Sequence, residues 1–235
     1  MKDDITILPN APDDTHTEIL RATFRVLCER GYTGVTISRI AARTDIAKSV
    51  VYYHYEDKDD IVQTLLDQVL AELLSEYFDD SDDDPACRLE NFFGFVFAVA
   101  GGDITDTGCV NSDENTDSNS NPNSSHAIDT GFTHCVGAHS QAYVELRTQA
   151  AHDQVFRETI QANETTLRKE LHACIDAGVA AGAFDVDNVS DATEFLLTLI
   201  EGAIFRGATT GEVDTDALAA VLEEKLGIVV RQDSL

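Results

Sequence analysis

The sequence predicts an all-α protein of about nine helices, and three features of the 235-residue chain support this fold class. Apolar residues recur at spacings of three and four along most of the chain, which is the period of an amphipathic helix. Helix breakers are scarce, with only four prolines, so long helices are rarely interrupted. No stretch alternates apolar and polar residues in the manner of a half-buried strand.

The first predicted helix follows a tail of residues 1–12, which we expect to be disordered. Asp13, Asp14 or Thr15 offers an N-cap, and Gly31 is expected to end the helix in the C′ position. Its buried face is predicted from the i, i+4, i+7, i+8 spacing of four residues: Leu20, Phe24, Leu27 and Cys28.

Two short helices come next, with only a tight connection between them. Thr36 caps the first, predicted over 37–43, and the second is predicted over 48–54. Helices this short are stable only when they pack closely against their neighbours. Ala41 is therefore expected to allow close approach, and Val51 to fill the space between the two helices.

Six further helices are predicted from apolar periodicity, cap residues and breakers. They cover 59–78, 85–100, 138–150, 154–181, 190–208 and 214–226. Val155 is assigned to the apolar face of the fourth of these. Between the second and the third, residues 101–137 are rich in Asn, Ser, Asp, Thr and Gly, so we expect a long disordered loop inserted there.

Charge is distributed unevenly along the chain. The formal net charge is −27, from 43 acidic and 16 basic residues. DNA-binding proteins usually show a basic footprint, and residues 21–58 provide one, with seven basic residues against four acidic ones. The uniform acidity elsewhere indicates a halophilic protein, from a proteome adapted to molar salt. An ordinary acidic protein kept soluble by its charge is the alternative.

Several classes of protein are excluded by composition and motif. No run of about 18 apolar residues exists and the N-terminus lacks a secretory pattern, so we expect a cytoplasmic protein without a membrane span. Five widely spaced cysteines without a CxxC pair do not indicate a disulfide framework. No Ser-His-Asp pattern, phosphate loop or HExxH is present, so we predict no enzyme, no catalytic residue and no cofactor.

A group of zinc-capable residue types lies in and beside the expected loop: Cys109, His126, His134, Cys135 and His139. Their spacing matches no standard zinc site, and the segment is expected to be disordered. We therefore predict no metal site, and chance occurrence in a solvated segment is the preferred interpretation.

The most specific motif of the chain is residues 36–58, TISRIAARTDIAKSVVYYHYEDK. Together with the preceding helix and its Gly31-Tyr32 pair, this stretch resembles the TetR family of helix-turn-helix regulators over about residues 13–65. Asp45 departs from the family pattern, in which glycine often precedes the hydrophobic residue of the turn. That departure places a carboxylate near the expected DNA surface.

The second half of the chain carries a further resemblance. The runs 145–150, 153–157 and 178–184 are similar to the C-terminal domain of one branch of the family, the betaine-regulator-like group. The resemblance implies a helix-turn-helix DNA-binding domain over 13–58 and a helical effector-binding and dimerisation domain over 59–235.

The function implied by the resemblance is that of a sequence-specific DNA-binding transcriptional regulator. Such a protein would be a homodimeric repressor, released from a palindromic double-stranded operator by a small apolar ligand. A sensing or interaction protein of the same fold with weak or no DNA binding is the alternative. The basic segment with Lys48 and Lys58 intact favours DNA binding.

The motif and the family pattern together assign candidate DNA contacts. Thr36, at a helix N-terminus, is expected to hold a phosphate, as are Arg43 and Lys58. Tyr52 and His54 are expected to reach the DNA backbone, with packing as the alternative for each. Base edges are assigned to four residues of the second short helix: Lys48, Ser49, Val50 and Tyr53.

Two further sets of residues are implied by the resemblance. An apolar effector cavity is expected, because the aromatic residues exceed what a core stripe needs; its candidates are Phe93, Phe97, Tyr143 and Phe156. The last two helices are expected to pair across a two-fold axis into a four-helix bundle, with Phe195, Leu199 and Leu218 as candidate contacts. For both sets, packing within one chain is the alternative.

Overall fold

A computed structural model describes residues 15–79, 84–101 and 136–229. Within these ranges the protein consists of nine α-helices and no strand, which confirms the all-α prediction. The expected tail 1–12 and residues 102–135 of the expected loop lie outside the described residues, together with most of the zinc-capable group. Among the described residues, no three His, Cys, Asp or Glu side chains are grouped so as to hold a metal ion.

Each of the nine helices in the described ranges overlaps a predicted helix, in the predicted order. They are α1 (Thr15–Gly34), α2 (Ile37–Arg43), α3 (Lys48–His54), α4 (Lys58–Phe78), α5 (Pro85–Gly101), α6 (Val136–Ala150), α7 (Gln154–Ala180), α8 (Val189–Thr210) and α9 (Thr215–Leu226). None of the helices in the described ranges combines the length and apolar character that crossing a bilayer requires.

Side-chain caps fix the start of several helices. Asp153 accepts hydrogen bonds from the backbone N–H groups of Val155 at 2.8 Å and Phe156 at 3.2 Å. Thr36, Asn188 and Asp214 cap α2, α8 and α9 in the same way. Such side chains satisfy N–H groups that have no partner within the helix, which is why Asp, Asn, Ser and Thr mark helix starts.

Two clusters of buried apolar side chains hold the helices together. The first joins α1, α2, α3 and the N-terminal half of α4 to α6 and the start of α7. The second joins the end of α4 to α5, α7, α8 and α9. Helices α4 and α7 contribute to both clusters and therefore connect the region around α2 and α3 to the body of the molecule.

The start of α7 corrects one expectation of the sequence. Val155, assigned to the apolar face, is exposed, whereas the neighbouring Phe156 is almost fully buried. Phe156 shares a face with Ile160 and Leu167, at helical spacing, and its ring meets that of Tyr32 edge to face at 5.4 Å. Packing against the first cluster, including Tyr32 of α1, thus accounts for the burial of Phe156 rather than Val155.

Helices α5 and α8 approach each other closely at Gly207. A Cβ atom at this position would lie 2.1 Å from the carbonyl oxygen of Ala100, a separation that no packed structure tolerates. Gly94, inside α5, has no neighbouring atom within 4 Å of its would-be Cβ. These two helical glycines therefore differ in their surroundings although both lie in helix interiors.

We expect Gly207→Ala to destabilise the protein and Gly94→Ala to stabilise it. At Gly207 the new methyl group forces α5 and α8 apart, at a cost of about 1 to 3 kcal/mol. At Gly94 the better helix propensity of alanine acts alone and contributes about 1 kcal/mol. Chemical denaturation of the two variants measures both changes, and an equal effect at the two positions would contradict the packing described.

Candidate nucleic-acid interface and apolar cavity

Helices α2 and α3 form a compact unit because their inward residues are apolar. Ile40 of α2 and Val51 of α3 are fully inaccessible to solvent. Tyr55 closes α3 by donating its backbone N–H to the carbonyl of Val51 at 3.0 Å. The hydroxyl of Tyr55 also hydrogen-bonds His16 of α1 at 2.9 Å, so the end of α3 is tied to the helix beneath it.

The outer face of α3 projects from the molecule. Tyr53 is 83% exposed and Tyr52 is 58% exposed, which is unusual for aromatic side chains in a packed domain. The four other residues that the sequence assigned to DNA from this helix are also exposed: Lys48, Ser49, Val50 and His54. The structure thus brings the six candidate residues of α3 to one solvent-facing surface, which we call the α3 surface.

The three candidate phosphate contacts outside α3 differ in their surroundings. Thr36 is exposed, and its hydroxyl accepts the Arg39 N–H at 3.3 Å. Arg43 forms an ion pair with Glu29 of α1. Lys58 places its ammonium 3.9 Å from the centroid of the Tyr32 ring, in a cation–π contact. Arg43 and Lys58 thus already have partners within the chain.

Tyr32 connects α1 to α4, α6 and α7. Its hydroxyl donates a 2.6 Å hydrogen bond to Asp59, at the start of α4, and its ring lies against Phe156 and Lys58. Burial, and then the hydrogen bond to Asp59, raise the pKa of the Tyr32 hydroxyl, so the group stays a neutral donor.

Gly31 breaks α1 immediately before Tyr32. Its φ of 65° lies in the left-handed region, which glycine adopts without steric cost. Beyond the break, the backbone N–H of Tyr32 donates to the carboxylate of Glu145 on α6 at 2.6 Å. A Cβ atom at Gly31 would lie 2.5 Å from the same carboxylate, so the absence of a side chain lets Glu145 approach.

An apolar cavity of about 240 Å³ lies between α1, α4, α5, α6, α7 and α8. Tyr143, a predicted lining residue, faces it. Phe93, Phe97 and Phe156 do not line this cavity, because their faces are packed into the two buried clusters. Other aromatic residues take their place in the wall: Phe24, Phe92 and Phe95.

One corner of the cavity is polar. Arg147 donates to the Tyr143 hydroxyl at 2.9 Å and forms an ion pair with Glu201 at 2.7 Å. Glu164 lies 3.7 Å from the same guanidinium. Burial raises the pKa of the Tyr143 hydroxyl. The corner therefore holds one cation, two carboxylates and a neutral hydroxyl beside an otherwise apolar space.

Helices α8 and α9 leave apolar side chains exposed on the far side of the body. Phe195 is 45% exposed, while Leu199 and Leu218 are partly buried against the second cluster. The structure adds Phe205, which is 56% exposed, and Val221 to this face. Phe205 follows from helical periodicity, since it lies opposite the buried residues of α8.

A short two-helix unit with an outward second helix, joined to a helical body with an apolar cavity, is the architecture of a helix-turn-helix regulator. Comparison with known families makes the assignment specific. Residues 19–65 match the family of bacterial regulatory proteins called tetR, and residues 135–230 match the C-terminal domain of BetI-type transcriptional repressors. Together these matches cover more than half of the chain, which belongs to the TetR family and has a BetI-type C-terminal domain.

Individual relatives agree with this assignment. The chain is 31% identical over 75 residues to the HTH-type transcriptional regulator BetI of Stenotrophomonas maltophilia, covering 31% of this chain and 38% of that protein. It is 28% identical over 81 residues to the repressor DhaR of a Mycobacterium species, covering 33% and 41%. A longer match, to BetI of Burkholderia cenocepacia, has 23% identity over 220 residues and covers 92% and 94%. The chain thus spans about two fifths of the first two relatives.

Solved structures share the fold. A TetR transcription regulator from Haloarcula marismortui has a TM-score of 0.63 and 24% identity, with 90% of this chain and 97% of that chain covered. The regulator FadR of Bacillus subtilis, in complex with stearoyl-CoA, has a TM-score of 0.61 and 17% identity, covering 89% and 96%. A putative regulator from Saccharomonospora viridis, in complex with choline, has a TM-score of 0.62 and 16% identity, covering 92% and 98%.

Proposed function

We propose that the protein is a sequence-specific DNA-binding transcriptional regulator that acts in the cytoplasm as a homodimeric repressor. In this proposal residues 13–58 bind a palindromic operator, and residues 59–235 hold an effector and the dimer interface. The observation that carries it is the α3 surface, which places six exposed residues on one short, firmly packed helix.

The chemistry of the α3 surface suits a DNA groove. Lys48 can donate to guanine, Ser49 can donate or accept, and the methyl groups of Val50 can meet a thymine methyl. Tyr52 and Tyr53 add hydroxyl groups at the ends of exposed rings. Because Val51 is buried, the helix cannot turn without losing its packing, and the outward residues keep a fixed orientation.

The acidic body supports function at high salt. At an ionic strength of about 1 M the Debye length is about 3 Å, so repulsion between DNA and the carboxylates of the body is screened. The same screening weakens phosphate contacts. The proposed regulator therefore depends on hydrogen bonds and methyl contacts from the α3 surface more than on its cations, of which Arg43 is already paired with Glu29.

The cavity supports the effector part of the proposal. Its wall is largely apolar and its polar groups converge at Arg147, a combination typical of small-molecule sites. A ligand that binds one arrangement of the helices better than another shifts the population toward it. The FadR and Saccharomonospora structures hold different ligands, stearoyl-CoA and choline, so they do not indicate one common effector. The proposed effector, a small apolar molecule, is therefore inferred from the cavity of this chain alone.

The exposed apolar face of α8 and α9 supports the dimer. Phe195, Phe205 and Val221 are exposed apolar residues of α8 and α9, and Leu199 and Leu218 of the same two helices are partly buried. Exposed apolar patches of this kind mark association sites. Pairing of the face with a second copy would create the two-fold axis that a palindromic operator requires.

Wild-type protein is expected to select inverted-repeat duplexes from a random DNA pool. Lys48→Ala should then weaken binding to the selected duplex by about 1 to 3 kcal/mol and relax the preference at one base pair of each half-site. Lys169→Ala, which removes the same charge from an exposed position on α7, is the matched control and should leave that preference unchanged. Failure of the wild type to enrich any sequence would favour the alternative, a sensing protein with weak or no DNA binding.

A small neutral apolar compound is expected to release the protein from the selected duplex. Leu70 lines the cavity, so Leu70→Trp should reduce the space available and abolish the response without abolishing DNA binding. Val155→Trp places the same bulk on an exposed position away from the cavity and should preserve the response. Fluorescence anisotropy of labelled DNA measures the release, and a response that survives Leu70→Trp would contradict the proposed site.

Light scattering is expected to give the mass of a dimer for the wild type and of a monomer for the double variant Phe195→Glu and Phe205→Glu. The carboxylates would be buried without partners at the proposed interface, which opposes association. Val155→Glu introduces the same group at an exposed residue of α7 and should leave the dimer intact. A double variant that remains dimeric would place the interface elsewhere.

A further inference from the structure

Helix α6 has two faces with different neighbours. Tyr143 and Arg147 lie one turn apart and face the cavity, and Arg147 hydrogen-bonds the Tyr143 hydroxyl. Glu145 is two residues from each, which at about 3.6 residues per turn places it on the opposite side of the helix. From there its carboxylate accepts the backbone N–H of Tyr32 at 2.6 Å.

The contact at Tyr32 continues toward the proposed DNA surface. The same residue whose amide binds Glu145 supports the Lys58 ammonium on its ring at 3.9 Å and holds Asp59 through its hydroxyl. Lys58 and Asp59 begin α4. Two contacts therefore lead from α6, through Tyr32, to a lysine that the proposed function assigns to a DNA phosphate, and a third holds the neighbouring Asp59.

These contacts have a physical role because, without them, neither the Lys58 side chain nor the segment that carries the Tyr32 ring has a fixed position. A lysine side chain is long and flexible, and only its contacts fix where the ammonium lies. Gly31 interrupts the regular helix just before Tyr32, so α1 alone does not fix the direction of the segment that carries the ring. The carboxylate of Glu145 supplies a charge-assisted hydrogen bond at this break.

We infer that Glu145 is a positioning residue for DNA binding: by holding the Tyr32 amide it fixes the ring that places Lys58 for phosphate contact. The inference rests on the proposed function. It also makes α6 the element that joins the cavity wall to the DNA-binding residues, since Tyr143 and Glu145 lie on one rigid helix.

Charge and positioning predict opposite results for the removal of Glu145. A simple electrostatic account predicts tighter DNA binding when a negative charge is lost, because repulsion from the phosphates falls. The positioning role predicts weaker binding, because Lys58 is no longer held. The sign of the effect therefore distinguishes the two accounts.

The experiment measures the affinity of the full chain for its selected duplex over a range of salt concentrations. Glu145→Ala should bind roughly tenfold more weakly, with a salt slope shallower by about 1, as for the loss of one phosphate contact. Glu145→Gln keeps an oxygen acceptor at the same reach and should retain most of the affinity. Lys58→Ala should show the loss seen for Glu145→Ala, and the double variant should be no weaker than Lys58→Ala alone.

Two further variants complete the test. Glu158→Ala removes an exposed carboxylate of α7 that bonds only Gln154 of its own helix among the contacts described, and should not weaken binding. Glu145→Asp keeps the charge but shortens the reach, so it should behave like Glu145→Ala and replaces it if that variant does not fold.

The outcomes separate the inference from the function on which it rests. Unchanged or tighter binding by Glu145→Ala and Glu145→Asp overturns the inference, as does a loss that adds to that of Lys58→Ala. A fall in melting temperature with an unchanged salt slope also overturns it, since it indicates a structural role only. If the wild type binds no duplex, the proposed function fails first and the inference falls with it.

Discussion

The shortness of α2 and α3 is the constraint on which the interface depends. Seven-residue helices are far below the length of about 12 to 15 residues at which isolated helices become marginally stable. They persist here because Ile40 and Val51 are completely buried and Tyr55 is tied to α1. The same packing buries Val51 and leaves the other six residues of α3 exposed, so stability and presentation of the candidate DNA contacts have a common cause.

The molecule combines a surface suited to nucleic acid with a strongly anionic body. Its formal charge is −27, yet the segment 21–58 has more basic than acidic residues. Within that segment the charge of Arg43 is already compensated by Glu29. Exposed hydroxyl and methyl groups on α3, which act at short range, are consequently better suited to the proposed recognition than distant charge, whose influence falls within a Debye length.

The sequence predicted the fold well wherever a local signal exists. Caps such as Asp153 and Asn188 accept hydrogen bonds from backbone N–H groups within three residues, so neighbouring positions in the sequence identify them. The structure adds Asp57, which caps α4. The orientation of α3 also followed from its motif. The lining of the cavity did not, because α5 itself carries four phenylalanines on several of its faces and periodicity does not decide which of them border a cavity.

Contacts between residues far apart in the chain could not be predicted from a single sequence. Glu145 and Tyr32 are 113 positions apart, and no local pattern pairs a carboxylate with a particular backbone amide. Phe156 and Val155 show the same limit at close range, since one residue of register decides which of two apolar neighbours is buried. Tertiary packing determines both the Glu145–Tyr32 contact and the burial of Phe156 rather than Val155.

The geometry at Gly31 has a consequence for how this chain can change over time. Two independent obstacles oppose any replacement there: the left-handed backbone, and a carboxylate 2.5 Å from where a Cβ would stand. Even asparagine, which tolerates the left-handed helical region, is strained at this pair of angles, φ 65° and ψ 177°. Any side chain at position 31 would therefore strain the backbone and also push the Glu145 carboxylate away from the Tyr32 amide, so we expect selection to retain glycine there.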